Sequence, residues 1–223
     1  MTDTKLGAIF YPTETDGKII PFDTLFLPYI WKEIYFDSLY VDIVNGKKDM
    51  TIIDVGANIG LVTMYLKDYA KRLFAIEPSS EHFKCLERNI IDNGWSNCSA
   101  HNIAIADKNG EMTLNTLSSN RTCHSLINDY KQGGEKVKTV TMDTFFEENK
   151  IEKCDFMKAD VEGAEDMIFR SPGFIKVAPK IEALELEFHF PDWQELVKHL
   201  IGLGYTARRY DCSAIVVLFL REK

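Results

Sequence analysis

The chain is poor in several features that would place a protein quickly, and each shortage narrows the choice. Its 223 residues hold no apolar run near the roughly 18 residues a membrane-spanning helix needs. The opening Met1-Thr2-Asp3 leads into scattered charge rather than the apolar stretch of a secretory signal, so a cytosolic protein with no membrane partner is expected. Cysteine is sparse: Cys85, Cys98, Cys123, Cys154 and Cys212 stand far apart with no C-x-x-C pair. That spacing offers neither a zinc site nor a disulfide framework, and leaves buried or half-buried free thiols. Positive charge is also short. There are 26 Lys and Arg against 34 Asp and Glu, a net charge of -8, and the densest basic stretch, Lys131 to Lys138, is diluted by Glu135 and two glycines. Proteins that grip nucleic acid neutralise phosphates with clustered bases, so a nucleic-acid partner is not expected.

What is present describes an ordinary globular chain, 45% hydrophobic and 27% charged, long enough for one large domain with a real core. No internal repeat or low-complexity tract interrupts it. From Met50 onward, short β-branched apolar runs alternate with helical patterns, the signature of a mostly parallel sheet with helices on both faces. Thr51 to Gly56 reads as a first strand, Ile59 to Ala70 as a helix, and Leu73 to Glu77 as a second strand. Pro78-Ser79-Ser80 opens a further helix that Gly94 is placed to end. Ser99 to Ala106 reads as a third strand. Asp107-Lys108-Asn109-Gly110 is a turn signal, so Ile103 to Ala106 and Met112 to Leu117 are expected to pair as a hairpin or lie as neighbours. Ser118 to Gly134 is polar and reads as a loop over the functional face. Val137 to Thr141 follows as a strand and Met142 to Lys150 as a short helix. Cys154 to Asp160 and Ile181 to His189 are further strands, with helices at Ala164 to Arg170 and Trp193 to Leu203. Thr206 to Asp211 and Ala214 to Leu220 close the chain as an antiparallel pair. Residues 1–49 lack a clean period apart from the aromatic-rich Tyr29 to Val44. They are expected to form an N-terminal helical cover on the domain of residues 50–223.

The chemistry begins at Asp54-Val55-Gly56-Ala57-Asn58-Ile59-Gly60, where a strand turns into a helix. Glycines there allow a tight turn and a close approach of backbone to ligand. Glu77 ends the next strand 23 residues after Asp54, the place from which a carboxylate accepts the hydroxyls of an adenosine ribose. The pair predicts an adenosine-containing cofactor. Dinucleotide loops need a bare second glycine against the pyrophosphate, and Asn58 stands there instead. Asp54 would repel a phosphate but attract an ammonium group. S-Adenosylmethionine, which carries an ammonium and no phosphate, is therefore favoured over NAD.

Together with Ile76-Glu77-Pro78, Lys158-Ala159-Asp160-Val161-Glu162-Gly163-Ala164-Glu165 and Glu187-Phe188-His189, this loop closely resembles the ordered motifs of the FkbM-type S-adenosylmethionine-dependent methyltransferases. The resemblance runs from about Met50 to Leu220. It implies a class I methyltransferase (Rossmann-like) fold, a seven-stranded sheet with an antiparallel last strand, and methylation of a hydroxyl on a sugar or natural-product small molecule. Asp54, Gly56, Asn58 and Gly60 are then expected to hold the methionine part of the cofactor, Glu77 the ribose, and Asn102 with Ile103 the adenine edge.

Asp160 ends the fourth parallel strand, and Glu185, Glu187 and His189 alternate along one face of the next, so Asp160, Glu187 and His189 converge where ligands enter open α/β sheets. They are the candidate catalytic residues. One of them takes the proton of the acceptor hydroxyl, His189 having the ordinary pKa nearest neutral, or Asp160, Glu187 and Glu162 hold a Mg²⁺-like ion that orients the substrate. Glu162 and Glu165 are equally explained as acids at a helix start, and Lys158 as a partner for a neighbouring acid. Arg121, His124 and Ser125 in the polar loop are candidate substrate contacts. His82, His101 and His199 read as structural or surface residues. A cofactor-binding module without chemistry, and an NAD-binding oxidoreductase, are the competing readings.

Overall fold

The computed structural model describes residues 9–11, 18–20, 40–116, 124–127, 133–209 and 215–222. Two short strands near the N-terminus, β1 (Ile9–Tyr11) and β2 (Lys18–Ile20), form a small antiparallel pair. Helix α1 (Val41–Val44) precedes β3 (Met50–Val55). Adjacent residues Ile52 and Ile53 are both fully buried, as a parallel strand covered on both faces requires. A short helix α2 (Leu61–Leu66), continued by one 3-10 turn, leads to β4 (Ala70–Ile76), then α3 (Ser80–Asp92) and β5 (Cys98–His101). Ser79 caps α3, its hydroxyl accepting from the His82 amide. The chain returns to this sheet as β10, after an excursion described below.

That excursion is a second, four-stranded sheet built from β6 (Ala104–Ala106), β7 (Gly110–Thr116), β8 (His124–Ser125) and β9 (Gly134–Thr141), in the order β6-β9-β7-β8. Helix α4 (Met142–Glu148) then leads to β10 (Phe156–Ala159). Next come α5 (Glu165–Phe169), α6 (Pro172–Val177), β11 (Ala183–Glu187), α7 (Trp193–Gly202), β12 (Tyr205–Arg209) and β13 (Val216–Arg221). The large sheet has the order β12-β13-β11-β10-β3-β4-β5. β13 runs antiparallel to both of its neighbours, and the other pairings are parallel.

Two apolar layers sandwich this sheet. On one side Ile53, Phe74, Met157 and Leu184 meet Phe145, Phe174 and Leu196. On the other, Ile52, Leu73, Phe156 and Leu218 meet Tyr40, Ile43, Leu66 and Leu86. The parallel strands and the terminal antiparallel pair agree with the sequence reading. Three details differ. The run from Ser99 to Ala106 breaks at residues 102–103 into β5 and β6, which belong to different sheets. β6 and β7 do not pair: β9 lies between them, parallel to β6 and antiparallel to β7. Long-range pairing with β9 therefore overrides the local turn. Helix α6 was not among the elements expected from sequence. In the fold Pro172 starts the helix, where its missing N–H costs nothing, and Ser171 caps it by accepting from the Phe174 amide at 3.1 Å.

Of the expected helical cover, residues 1–49, only 9–11, 18–20 and 40–49 are described, and they hold the β1–β2 strand pair as well as helix α1. Cys85 and Cys154 are buried and Cys98 half-buried, all as free thiols. No helix among the described residues is long and apolar enough to cross a membrane. Phe156, with no exposed surface, sits on a central strand between the two neighbours that carry the site. Phe156→Ala is expected to lower the unfolding free energy by about 3–5 kcal/mol, read from the urea midpoint at unchanged slope.

Candidate active site

The loop after β3 turns through three left-handed residues, Gly56 at φ 78, Asn58 at φ 51 and Gly60 at φ 95. The first glycine has a steric cause. A Cβ on Gly56 would lie 1.8 Å from the backbone oxygen of Asp160, because the loop crosses directly over the end of β10. Register enforces this crossing: Asp160 donates its N–H to the Val55 carbonyl at 3.0 Å, extending the β3–β10 ladder. Asn58 tolerates its conformation as Asn commonly does, and its side-chain oxygen accepts from the Ile59 amide at 2.8 Å.

Glu77 lies across this loop. Its two carboxylate oxygens accept from the Asn58 amide at 2.9 Å and the Ser79 amide at 2.8 Å, so its orientation is fixed. Burial pushes its carboxyl up to about 7, against the pull of those two amides and of Lys158. Loop and carboxylate border a solvent-open cleft. Gly56, Asn58, Glu77, Asp160 and Glu162 all line it. Ile103, Ile105, Leu114, Leu126 and Ile168 give an apolar wall. The second sheet thus supplies part of this wall, which the sequence reading did not anticipate. His82 also lines the cleft, buried, with Nδ1 3.9 Å from Glu77 Oε1, and is neither a surface residue nor remote from the site. Its signal was its place one turn into a helix that starts at the strand end.

Asn102 does not line the cleft. Its side-chain amide donates to the carbonyls of Glu77 at 3.0 Å and Pro78 at 2.9 Å, bracing the turn, while its neighbour Ile103 faces the cleft. Asp54 lies behind the cleft with no exposed surface. Its Oδ2 accepts from the Thr63 hydroxyl at 2.7 Å, and its Oδ1 is 3.9 Å from Lys158 Nζ. Asp54, Lys158 and Glu185 are in register across β3, β10 and β11. Lys158 also lies 3.6 Å from Asp160 Oδ2. Burial alone would drive the ammonium pKa down, but Asp160, Asp54, Glu187 and Glu185 together raise it above its ordinary value. Lys158 is therefore a fixed buried cation. Burial pushes Glu185 up to about 8, with Lys158 and a hydrogen bond from Tyr40 pulling the other way.

Beside the cleft, though not in its lining, His189 is surrounded by four carboxylates. Nδ1 lies 3.0 Å from Glu165 Oε1, and Nε2 lies 3.5 Å from Glu187, 3.8 Å from Asp160 and 3.9 Å from Glu162. Burial lowers its pKa, but the bonds to Glu165 and Glu187 and the charges of Asp160 and Glu162 outweigh this and push it up to about 11. The imidazole is positive at neutral pH, not poised near neutrality as its ordinary value had led us to expect. Glu165, absent from the expected site, is wholly buried, with Oε1 also accepting from the Gly163 amide at 3.0 Å. Asp160, Glu187 and His189 are thus brought together as expected. Arg121 lies outside the described residues, as does the side chain of His124. Ser125 is fully buried on β8, and its hydroxyl donates to the Glu162 carbonyl at 2.6 Å. It holds the left-handed turn at Glu162, φ 51, from behind.

A seven-stranded sheet in this order, with a reversed strand near one edge and a cleft over the carboxyl ends, defines a class I methyltransferase. More narrowly, the chain belongs to the methyltransferase FkbM domain family, whose model matches residues 54–210. It is 25% identical over 173 residues to "Methyltransferase 1" of Beauveria bassiana, covering 67% of this chain and 69% of that protein. It is 26% identical over 170 residues to "Methyltransferase sdnD" of Sordaria araneosa, covering 61% and 65%. The crystal structure of methyltransferase FkbM from Methylobacillus flagellatus superposes with a TM-score of 0.60 at 16% identity, over 82% of this chain and 47% of that one. The chain spans about two thirds of the curated relatives and less than half of that crystallised chain. Gly56→Ala is expected to cost at least about 2 kcal/mol, from the contact with Asp160 and the left-handed φ together, as a shift of the urea midpoint.

Proposed function

We propose that this methyltransferase takes its methyl group from S-adenosylmethionine and places it on a hydroxyl oxygen of a small molecule, a sugar or natural product. The observation that carries this reading is the cleft itself, lined by a fixed carboxylate, Glu77, and by Asp160 and Glu162. The residues present fit such a cofactor. Glu77 has both oxygens oriented by backbone amides and lone pairs left for the two ribose hydroxyls. Ile103 and the neighbouring apolar wall suit a purine, and the left-handed turn of Gly56 and Asn58 leaves open backbone for the methionine portion. Asp54, one layer behind, contributes negative charge toward the amino group without lining the cleft. When bound, the cofactor supplies a methyl group on a positively charged sulfur.

The chain's own part is to bring the acceptor oxygen to that methyl group and to receive its proton. Proximity and alignment account for much of the acceleration in a direct displacement. As the oxygen–carbon bond forms and the carbon–sulfur bond breaks, the electron pair stays with sulfur. The hydroxyl proton passes to the carboxylates at the ends of β10 and β11, Asp160 and Glu187. Protonated His189 holds the Glu187 carboxyl below its ordinary value through their hydrogen bond rather than acting as the base. The net charge of -8 and an anionic rim favour an uncharged hydroxylated acceptor over a phosphate-bearing one.

Calorimetry with S-adenosylhomocysteine is expected to show binding to the unmutated chain, and its absence would end this reading. Glu77→Ala should weaken that binding at least tenfold, from the loss of two hydrogen bonds to a charged acceptor, each worth about 1.5 kcal/mol or more. Because the ionised form of Glu77 is the stronger acceptor and its pKa stands at about 7, affinity should rise as pH increases through about 7 and then level off. Glu77→Gln should flatten that rise. Asp160→Asn should lower kcat by about a hundredfold or more while leaving S-adenosylhomocysteine affinity within about threefold.

A further inference from the structure

We propose that Asp160, Glu162 and His189 form a binding site for one divalent first-row transition-metal ion, with Glu165 as the buried residue that positions the imidazole. Asp160 Oδ1, Glu162 Oε2 and His189 Nε2 lie within 4.8 Å of one another at the mouth of the cleft. Nε2 stands 3.8 Å from the first oxygen and 3.9 Å from the second, too far for a hydrogen bond. Donors held at about 2.0–2.2 Å from one ion, at tetrahedral or octahedral angles, stand about 3.0–3.6 Å apart. An ion entering here takes the place of the proton on His189 Nε2 and draws the three donors together to coordinating distance.

Unsatisfied buried oxygens point the same way. Asp160 Oδ1, one of the three donors, is shut off from solvent and receives no hydrogen bond among the described residues. Glu165 has no exposed surface, yet its Oε2 is equally without a donor while its Oε1 faces His189 Nδ1 at 3.0 Å. A wholly buried carboxylate is expensive unless something compensates it. A carboxylate behind the far nitrogen of an imidazole is the arrangement that orients metal-binding histidines, and here it turns Nε2 toward the two acidic donors. Glu162 is brought in by its left-handed backbone, whose carbonyl Ser125 holds from the second sheet. The imidazole decides the kind of ion. An oxygen-only set of Asp160, Glu162 and Glu187 would suit Mg²⁺, the ion expected from sequence, whereas one nitrogen with two carboxylates suits Mn²⁺, Fe²⁺ or Zn²⁺. The site lies where the acceptor hydroxyl is proposed to enter, and rests on that reading only for the ion's task of orienting the acceptor oxygen. Glu187, outside the triad, remains to receive the proton.

The test uses the full chain stripped with a chelator and titrated with Mn²⁺ alone, free Mn²⁺ being counted by electron paramagnetic resonance. One saturable site is expected, weakened at least tenfold in His189→Ala and by about ten- to a hundredfold in Glu165→Gln, with the fold of each variant checked by circular dichroism. Should a variant fail to fold, pulsed resonance on the unmutated chain decides, since bound Mn²⁺ must show coupling to one imidazole nitrogen. No saturable binding of Mn²⁺ or Zn²⁺, or bound Mn²⁺ without nitrogen coupling, overturns the proposal. Calorimetry with S-adenosylhomocysteine on the same sample separates the two readings: cofactor binding without metal binding removes the ion site alone, and metal binding without cofactor binding removes the cofactor alone.

Discussion

A single buried ammonium permits the chemistry of this chain to be as acidic as it is. Lys158 stands in the middle of β10, with Asp54 on one neighbouring strand, Glu185 on the other and Asp160 just beyond it. Asp54 and Glu185, buried alone, would lose hydration and drift toward their neutral forms. The lysine offsets part of that loss from one central point, and its own charge is held by the acids around it. Remove the cation and the row becomes a set of like charges inside a sheet. The parallel register is what makes the arrangement work, because residues side by side on β3, β10 and β11 necessarily share a face.

The same register explains why the glycine loop and the acidic cluster form one site. β3 and β10 are neighbours, so the loop leaving β3 passes over the end of β10, close enough that Gly56 has no room for a side chain beside the Asp160 carbonyl. Glu77, at the end of the next strand, closes the other side through the Asn58 amide. One backbone hydrogen bond therefore fixes the distance between the two functional halves of the cleft. His189 enters from β11 with four carboxylates around it, and its charge is as much a property of that neighbourhood as of the residue.

Much of this was legible in the sequence because it follows from periodicity and from residue types at strand ends. Asp54, Glu77, Asp160 and Glu187 each close an apolar run, and chain order alone placed them at the carboxyl edge of a parallel sheet. Three things escaped. The pairing of β6 with β9 joins segments about 35 residues apart, and no local pattern encodes it. The protonated state of His189 depends on Glu165, Glu162 and Asp160 arriving from a different strand and turn, which pKa tables for isolated residues cannot supply. Glu165 looked like a helix-start acid, and it does stand in the first turn of α5. Its full burial against an imidazole became visible only in three dimensions.

The second sheet has a consequence for how such a protein can diversify. Leu114 on β7 and Leu126 just after β8 wall the cleft, while Ser125, immediately before Leu126, grips the carbonyl of Glu162. Two adjacent residues of one short segment thus touch the apolar wall and the acidic cluster of the site. An insertion or a shift in that segment cannot alter the shape of one without moving the other. Variation that retunes the acidic cluster is thereby confined to changes the apolar wall can absorb, and the segment acts as a mechanical linkage between the two.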